Sequence, residues 1–249
     1  SSLASWRATT DRLTSFEEAV SAAASDNHAL TATDSVALQT SDLTVALPAG
    51  AVLLERTALS AQSGDRVLLQ GPSGSGKSTL FRAFAGIWPF ASGNLTRPAD
   101  AMFIPQRPYF PNGPLREALA YPQAASIYTD EALRQALTEA LLPNLLDQLD
   151  KADAWGQKLS GGEQQRLALA RVFLKKPKWV FADEATSALD EDAENTIYER
   201  LLALVKSAQG ALVSIAHRPS VATFHTTRWQ LEKRPEGSSS LYQLRQTSL

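Results

Sequence analysis

Arg66-Val-Leu-Leu-Gln70 runs without a break into Gly71-Pro72-Ser73-Gly74-Ser75-Gly76-Lys77-Ser78-Thr79, and Lys77 to Ile87 then has a helical composition. A short apolar run, a glycine-rich loop and a helix, in that order, make a strand, a tight turn and a helix N-terminus. The loop fits the pattern G-x-x-x-x-G-K-[ST], and each part answers to the crowding of a triphosphate. Glycines at 71, 74 and 76 let the backbone approach and turn its N–H groups inward, while the helix adds the positive end of its dipole. Lys77 puts a cation between the terminal phosphates, and Ser78 offers a hydroxyl to Mg²⁺. Pro72, Ser73, Ser75 and Thr79 complete this candidate nucleotide-binding stretch.

Outward from the loop, strands and helices alternate. Val36 to Leu69 reads as several strands with a turn at Leu47-Pro48-Ala49-Gly50. Residues 108–158 are proline-punctuated and then helical, with Leu133, Ala136, Leu137, Ala140 and Leu141 on one face. Leu159 to Lys176 reads as a helix, Trp179 to Ala182 as a buried strand, Asp192 to Ala208 as a helix ended by Gly210, and Ala211 to Ala216 as a second buried strand. Such alternation predicts an α/β fold with a mostly parallel sheet covered on both faces. Residues 1–26 carry Trp6, Leu13, Phe16 and Val20 at helical spacing, and residues 26–41 read as a polar linker entering a strand.

The bulk composition narrows the functions open to this fold. The 249 residues carry 24 Lys plus Arg against 26 Asp plus Glu, a net charge of −2, and no cysteine. No bulk positive field is available to hold nucleic acid. Disulfide frameworks, thiolate metal sites and cysteine nucleophiles are excluded, and three histidines (His28, His217, His225) make a His-rich metal site a poor reading. The longest uncharged apolar stretch, Leu43 to Leu54, is broken by Pro48 and Gly50 and falls far short of the roughly 20 residues a membrane span needs. The chain by itself is expected to be soluble. It opens Ser-Ser rather than with Met, as a piece excised from a longer protein does.

Two further stretches carry chemistry. Trp179-Val-Phe-Ala-Asp183-Glu184 ends a buried strand in two carboxylates at its carboxyl end, where open α/β sheets bind ligands. Asp183 can hold Mg²⁺ through water, and Glu184 can polarise a water for in-line attack on a γ-phosphate. Leu159-Ser160-Gly161-Gly162-Glu163-Gln164-Gln165-Arg166 starts a helix with a capping box, Ser160 to Glu163. Its glycine pair leaves that N-terminus stripped of side chains, a second surface able to take a phosphate. One γ-phosphate needs one cradle, so the spare points to a nucleotide held by another subunit.

The ordered set of phosphate loop, LSGGEQQR, strand ending in Asp-Glu, Ala185-Thr-Ser-Ala-Leu-Asp190 and His217 resembles the nucleotide-binding domain of an ABC transporter over residues 36–232. The resemblance implies a P-loop NTPase core with an antiparallel β subdomain and an α-helical subdomain at about 108–176. It implies ATP and Mg²⁺ as cofactors and a head-to-tail homodimer holding two ATP molecules, each between one subunit's phosphate loop and the other's Ser160, Gly161 and Gly162. Gln106 resembles the Q-loop glutamine that reaches Mg²⁺ and senses a transmembrane partner. His217 resembles the switch histidine, and Asp190 the D-loop aspartate that crosses the dimer interface. Leu47 stands where the family usually places an aromatic residue against adenine. His28 and His225 match no family position and are expected at the surface. The stretches Phe103-Ile-Pro-Gln-Arg-Pro-Tyr109, Pro114 to Pro122 and His217-Arg-Pro-Ser-Val221 look like a narrower branch, the peroxisomal fatty-acyl-CoA (subfamily D) transporters and bacterial SbmA/BacA-related proteins with a fused ATPase. On that branch residues 1–35 are the stub of a preceding transmembrane domain, residues 36–249 are the ATPase, and the domain works at the cytoplasmic face of a membrane. A non-transport ABC ATPase acting on ribosomes or DNA usually carries two cassettes or a basic insertion, and this chain has one cassette and a mildly acidic balance.

Overall fold

The computed structural model describes residues 30–249, so the helix read at residues 1–26 and His28 lie outside the described residues. Strands β1 (Thr31–Ser35), β2 (Leu38–Ala46), β3 (Val52–Ala61) and β4 (Arg66–Gln70) lead to helix α1 (Lys77–Phe84). Strands β5 (Ala91–Pro98), β6 (Ala101–Ile104) and the short β7 (Gly113–Pro114) precede helices α2 (Leu115–Ala120) and α3 (Asp130–Glu139). The short β8 (Ala152–Asp153), α4 (Trp155–Lys158) and α5 (Gly161–Lys175) follow, then β9 (Trp179–Asp183), α6 (Glu191–Ser207), β10 (Ala211–Ile215), α7 (Pro219–Ala222), β11 (Thr227–Lys233) and β12 (Tyr242–Ser248). The chain forms two compact units. One holds the chain up to Ala61 with Gly71–Ala99 and Gln230–Arg245; the other holds Gln62–Gln70, Asp100–Trp229 and Gln246–Leu249.

In the first unit a four-stranded sheet runs β1-β5-β2-β3, antiparallel between β2 and both β3 and β5. Thr31–Ser35 pair in parallel with Asn94–Pro98. The stretch read as a linker therefore contains a strand; it is an edge strand with four of its five residues exposed, so it carries no apolar alternation to betray it.

The six-stranded sheet has the order β12-β11-β4-β10-β9-β6. In the second unit β10 pairs in parallel with β4 and β9, and β6 with β9. Every residue of β9 and β10 is buried. That is why these strands read as unbroken apolar runs rather than alternations: both faces are covered. Leu115, Leu119, Leu133, Leu137, Leu145, Leu167 and Phe173 pack with the helices into one core with Val180 and Leu212. Thr129 caps α3 by accepting from the amide of Ala132 at 3.1 Å. Trp155 is fully buried and its indole N–H donates to the carbonyl of Gly113 at 2.8 Å, which anchors the segment leading into α5.

His225, expected at the surface, is buried. Its Nδ1 lies 2.8 Å from the carbonyl of Val221 and its Nε2 2.9 Å from the Ser214 hydroxyl. Burial, with the Arg66 guanidinium adding to it, pushes the imidazole down to about 4. The folded chain thus refuses a proton that the unfolded chain binds near its ordinary pKa of 6.5. Stability is full above that value and is lost as pH falls toward the folded pKa. Going from about pH 7.5 to about pH 5 should cost about 2 kcal/mol. Urea midpoints at the two pH values check this, with His225→Gln expected to flatten the slope; a slope unchanged in the variant contradicts it.

Candidate functional site

In the first unit the candidate phosphate-binding stretch leads into α1. Gly76, at φ 91°, is the N-cap of α1, and no side chain caps that helix. A helix N-terminus without a side-chain cap, opening on a glycine, is the kind of surface that an anion takes. A Cβ on Gly76 would lie 2.5 Å from a Leu53 methyl, and one on Gly71 would lie 2.8 Å from the Leu231 Cβ and 2.9 Å from the Ser75 hydroxyl. Only glycine lets the loop close this tightly. Lys77 is buried, and its ammonium donates to the carbonyls of Gly71 at 2.7 Å and Pro72 at 3.1 Å, which draws the loop around it. The Ser75 hydroxyl is buried with no hydrogen-bond partner among the described residues, an orphan that a polar ligand in the loop can satisfy. The loop therefore fits a nucleotide phosphate on its own geometry.

Leu47 sits in the turn between β2 and β3, its amide donating to the Ala51 carbonyl at 2.7 Å. Next to it the Trp88 indole N–H donates to the carbonyl of Ala46 at 2.8 Å, and the Trp88 ring meets Phe90 edge-on at 5.6 Å. The structure thus brings an aromatic pair beside the position where the sequence offers only leucine.

In the second unit the residues picked from the sequence converge on one carboxylate. Gln106 Nε2 donates to Glu184 Oε2 at 2.6 Å, and His217 Nε2 lies 2.6 Å from Glu184 Oε1. An ionised carboxylate only accepts, so this contact places a proton on His217 Nε2. The three residues come from the ends of β6, β9 and β10, adjacent parallel strands whose carboxyl ends open on the same side. Glu184 itself has φ 49°, a left-handed conformation costly for a side-chain-bearing residue and concentrated at functional sites. Asp183, just before it, is buried. Within this unit Gln106 and Asp183 offer oxygen donors, and in the first unit Ser78 offers a hydroxyl; each donor suits a hard cation such as Mg²⁺.

The turn that holds Glu184 is braced by a residue the sequence reading passed over. Gln165 Nε2 donates to the Glu184 carbonyl at 3.2 Å and to the Ser187 hydroxyl at 2.9 Å, while its Oε1 accepts from the Ala188 amide at 2.8 Å. Gln165 lies on α5, so the helix opened by Ser160 is tied directly to the backbone of Glu184. Its only sequence signal is its place within LSGGEQQR. Gln165→Ala would leave these partners unpaired and should cost about 1–3 kcal/mol of stability, read from denaturant midpoints; an unchanged midpoint contradicts the brace.

At the start of α5 the capping box is present. The Ser160 hydroxyl accepts from the Glu163 amide at 3.2 Å, and Glu163 Oε1 accepts from the Ser160 amide at 3.1 Å. The Ser160 amide above all, with the Ser160 hydroxyl and the Asn144 side chain adding to it, holds Glu163 below the usual carboxylate range. Ser160 and Gly161 remain exposed. Asp190 caps α6, accepting from the Ala193 amide at 2.8 Å.

The ABC transporter family model matches residues 54–187. An uncharacterized ABC transporter ATP-binding protein of Synechocystis sp. is 44% identical over 191 residues, covering 75% of this chain and 28% of its own. ABC transporter D family member 1 of Arabidopsis thaliana is 39% identical over 221 residues, covering 84% of this chain and 16% of its own. The inner membrane ABC transporter ATP-binding protein YddA of Escherichia coli is 35% identical over 187 residues, covering 74% and 32%. Among solved structures, a bacterial Atm1-family ABC exporter with ATP bound superposes with a TM-score of 0.70 at 25% identity, over 81% of this chain and 40% of that one. The chain spans less than a third of each of these curated relatives. No helix among the described residues is long and apolar enough to cross a membrane.

Proposed function

Because the chain belongs to the ABC transporter family and is an ATPase domain of that family, we propose that it drives movement of a cargo across a membrane by binding and hydrolysing ATP as a head-to-tail pair. The observation that carries this reading is Glu184 gripped on both carboxylate oxygens, by Gln106 and by His217, each at 2.6 Å. A carboxylate fixed in position by two donors that themselves sit at strand ends is arranged to take a proton from water. When bound, Mg²⁺ neutralises charge on the β- and γ-phosphate oxygens. The rest falls to this chain's own groups. The phosphate loop and Lys77 hold the triphosphate. Glu184, released from one partner, removes a proton from the attacking water, whose oxygen bonds to the γ-phosphorus as the bond to ADP breaks. His217 Nε2–H then donates to a γ-phosphate oxygen. Gln106 keeps its amide oxygen for the metal.

Ser160, Gly161 and Gly162 of a second copy close each site over the nucleotide, and Asp190 lies at that contact. The supports are the exposed tip of α5 and the presence of one phosphate loop per chain. Such a pair is two-fold and closed, both contacts being made together. ATP binding draws two domains together and hydrolysis parts them, a two-state element that a membrane-spanning partner can follow. That partner precedes residues 36–249 on the native chain, and the domain works at the cytoplasmic face of the membrane; the subfamily D and inner-membrane names of the relatives support this placement.

Phosphate release from ATP with Mg²⁺, lost when Mg²⁺ is chelated, tests the reading; no release in either condition contradicts it. The base contact gives a further test. Leu47 supplies apolar area without π-stacking, so Leu47→Tyr should raise affinity for ATP by about 1 kcal/mol. It should do so more than for GTP, read by competition; an unchanged preference removes Leu47 from the adenine.

A further inference from the structure

We infer that the buried Glu194 carboxylate and the Arg218 guanidinium form a clamp that holds His217 against Glu184, which makes both of them positioning residues for hydrolysis. The inference rests on the ATPase reading and deepens it. Glu184 and His217 begin two separate loops, one after β9 and one after β10, and their mutual contact is only as good as the registration of those loops. Glu194 lies on α6 with its side chain 1% exposed. A carboxylate so far from water must be satisfied by donors, and three reach it. The Thr186 hydroxyl donates at 2.7 Å from the loop after Glu184. The Ser220 hydroxyl, at 3.1 Å, and the Arg218 guanidinium, at 3.3 Å, come from the loop after His217.

Arg218 then reaches back. Its Nη1 donates to the Leu189 carbonyl and its Nη2 to the Ser187 carbonyl, each at 2.6 Å. One guanidinium thus ties residue 218 to residues 187 and 189, and one carboxylate ties residue 186 to residues 218 and 220. The fork geometry matters: Arg presents parallel donors in a rigid plane, which a lysine ammonium does not. Neither residue faces the reacting atoms in this arrangement; both act through the loops that carry Glu184 and His217. Displacing one loop by about 1 Å is enough to cost a hundredfold in rate.

The test uses the full chain with ATP and Mg²⁺ and compares Glu194→Gln, Arg218→Lys and the double variant. Glu194→Gln keeps the volume and removes the charge. Arg218 is half-exposed, so Arg218→Lys keeps a folded chain even if the buried substitution does not. Each single variant should lower kcat about 10- to 100-fold, with the equilibrium dissociation constant for ATP within about threefold of the parent and the melting transition still well above the assay temperature. Because both break the same clamp, the double variant should be no slower than the slower single one. Wild-type kcat in Arg218→Lys, losses of kcat that multiply in the double variant, or ATP affinity falling in step with kcat would each overturn the clamp. A parent chain that releases no phosphate defeats the ATPase reading itself, a result separate from any of these.

Discussion

Glu184→Gln is expected to bind ATP as the parent does and to lose turnover by at least about 100-fold. Glu184 accepts from Gln106 on one oxygen and from His217 on the other, and it is held in a left-handed backbone conformation that aims it away from the ordinary strand direction. Glutamine fills the same volume, so packing survives. Its amide nitrogen cannot accept from Gln106 or His217, and it cannot take a proton from water. The phosphate loop is untouched, so nucleotide affinity should stay within about threefold while phosphate release collapses, the signature of a group used in the transition state rather than in binding. Turnover within about twofold of the parent would remove Glu184 from its role.

Lys77→Ala is expected to fail one step earlier. The Lys77 ammonium closes the loop through the carbonyls of Gly71 and Pro72 and is itself buried. Removing it deletes the cation that meets the terminal phosphates and takes a donor from two loop carbonyls, of which that of Pro72 keeps the Ser75 amide at 3.1 Å. ATP affinity should fall at least about 100-fold, equivalent to about 2.7 kcal/mol, and turnover should follow only because the nucleotide is not bound. Calorimetric titration of ATP reads this directly. Affinity within about threefold of the parent would mean that the loop holds the phosphates through its backbone alone.

What could be read in the sequence was set by burial and by covalent spacing. Strands β4, β9 and β10 are covered on both faces and so appear as apolar runs. The phosphate loop is local in sequence; Gly71 and Gly76 are demanded by atoms under 3 Å from where a Cβ would lie, and Gly74 by its φ of 74°. Helix α5 carried its own start signal in Ser160 and Glu163. Glu184 was legible from the apolar strand that ends in two carboxylates, whereas Gln106 and His217 came from a family resemblance; no feature of residue 106 alone points to residue 184, and their meeting follows from the parallel pairing of β6, β9 and β10. The exposed edge strand β1 gave no such signal. Gln165, Glu194, Arg218 and His225 were missed for one shared reason. Each is a polar residue whose partners lie on chain segments that nothing in the local pattern connects, and Gln165, Glu194 and His225 are buried by that long-range packing. His225 shows the direction of the error: a histidine in Thr-Phe-His-Thr-Thr reads as surface, and the fold surrounds it.

The central claim is that the site is completed by a second copy, and co-expression of two differently tagged chains tests it most directly. One carries Lys77→Ala and cannot hold its own ATP; the other carries Ser160→Arg and cannot close its neighbour's site. Each variant paired with itself should release no phosphate. The mixed pair, purified on both tags, contains one intact site, built from the phosphate loop of the Ser160→Arg chain and the α5 tip of the Lys77→Ala chain, and should regain turnover. A mixed pair as silent as its parents, or Ser160→Arg alone turning over at the parent rate, would contradict the shared site.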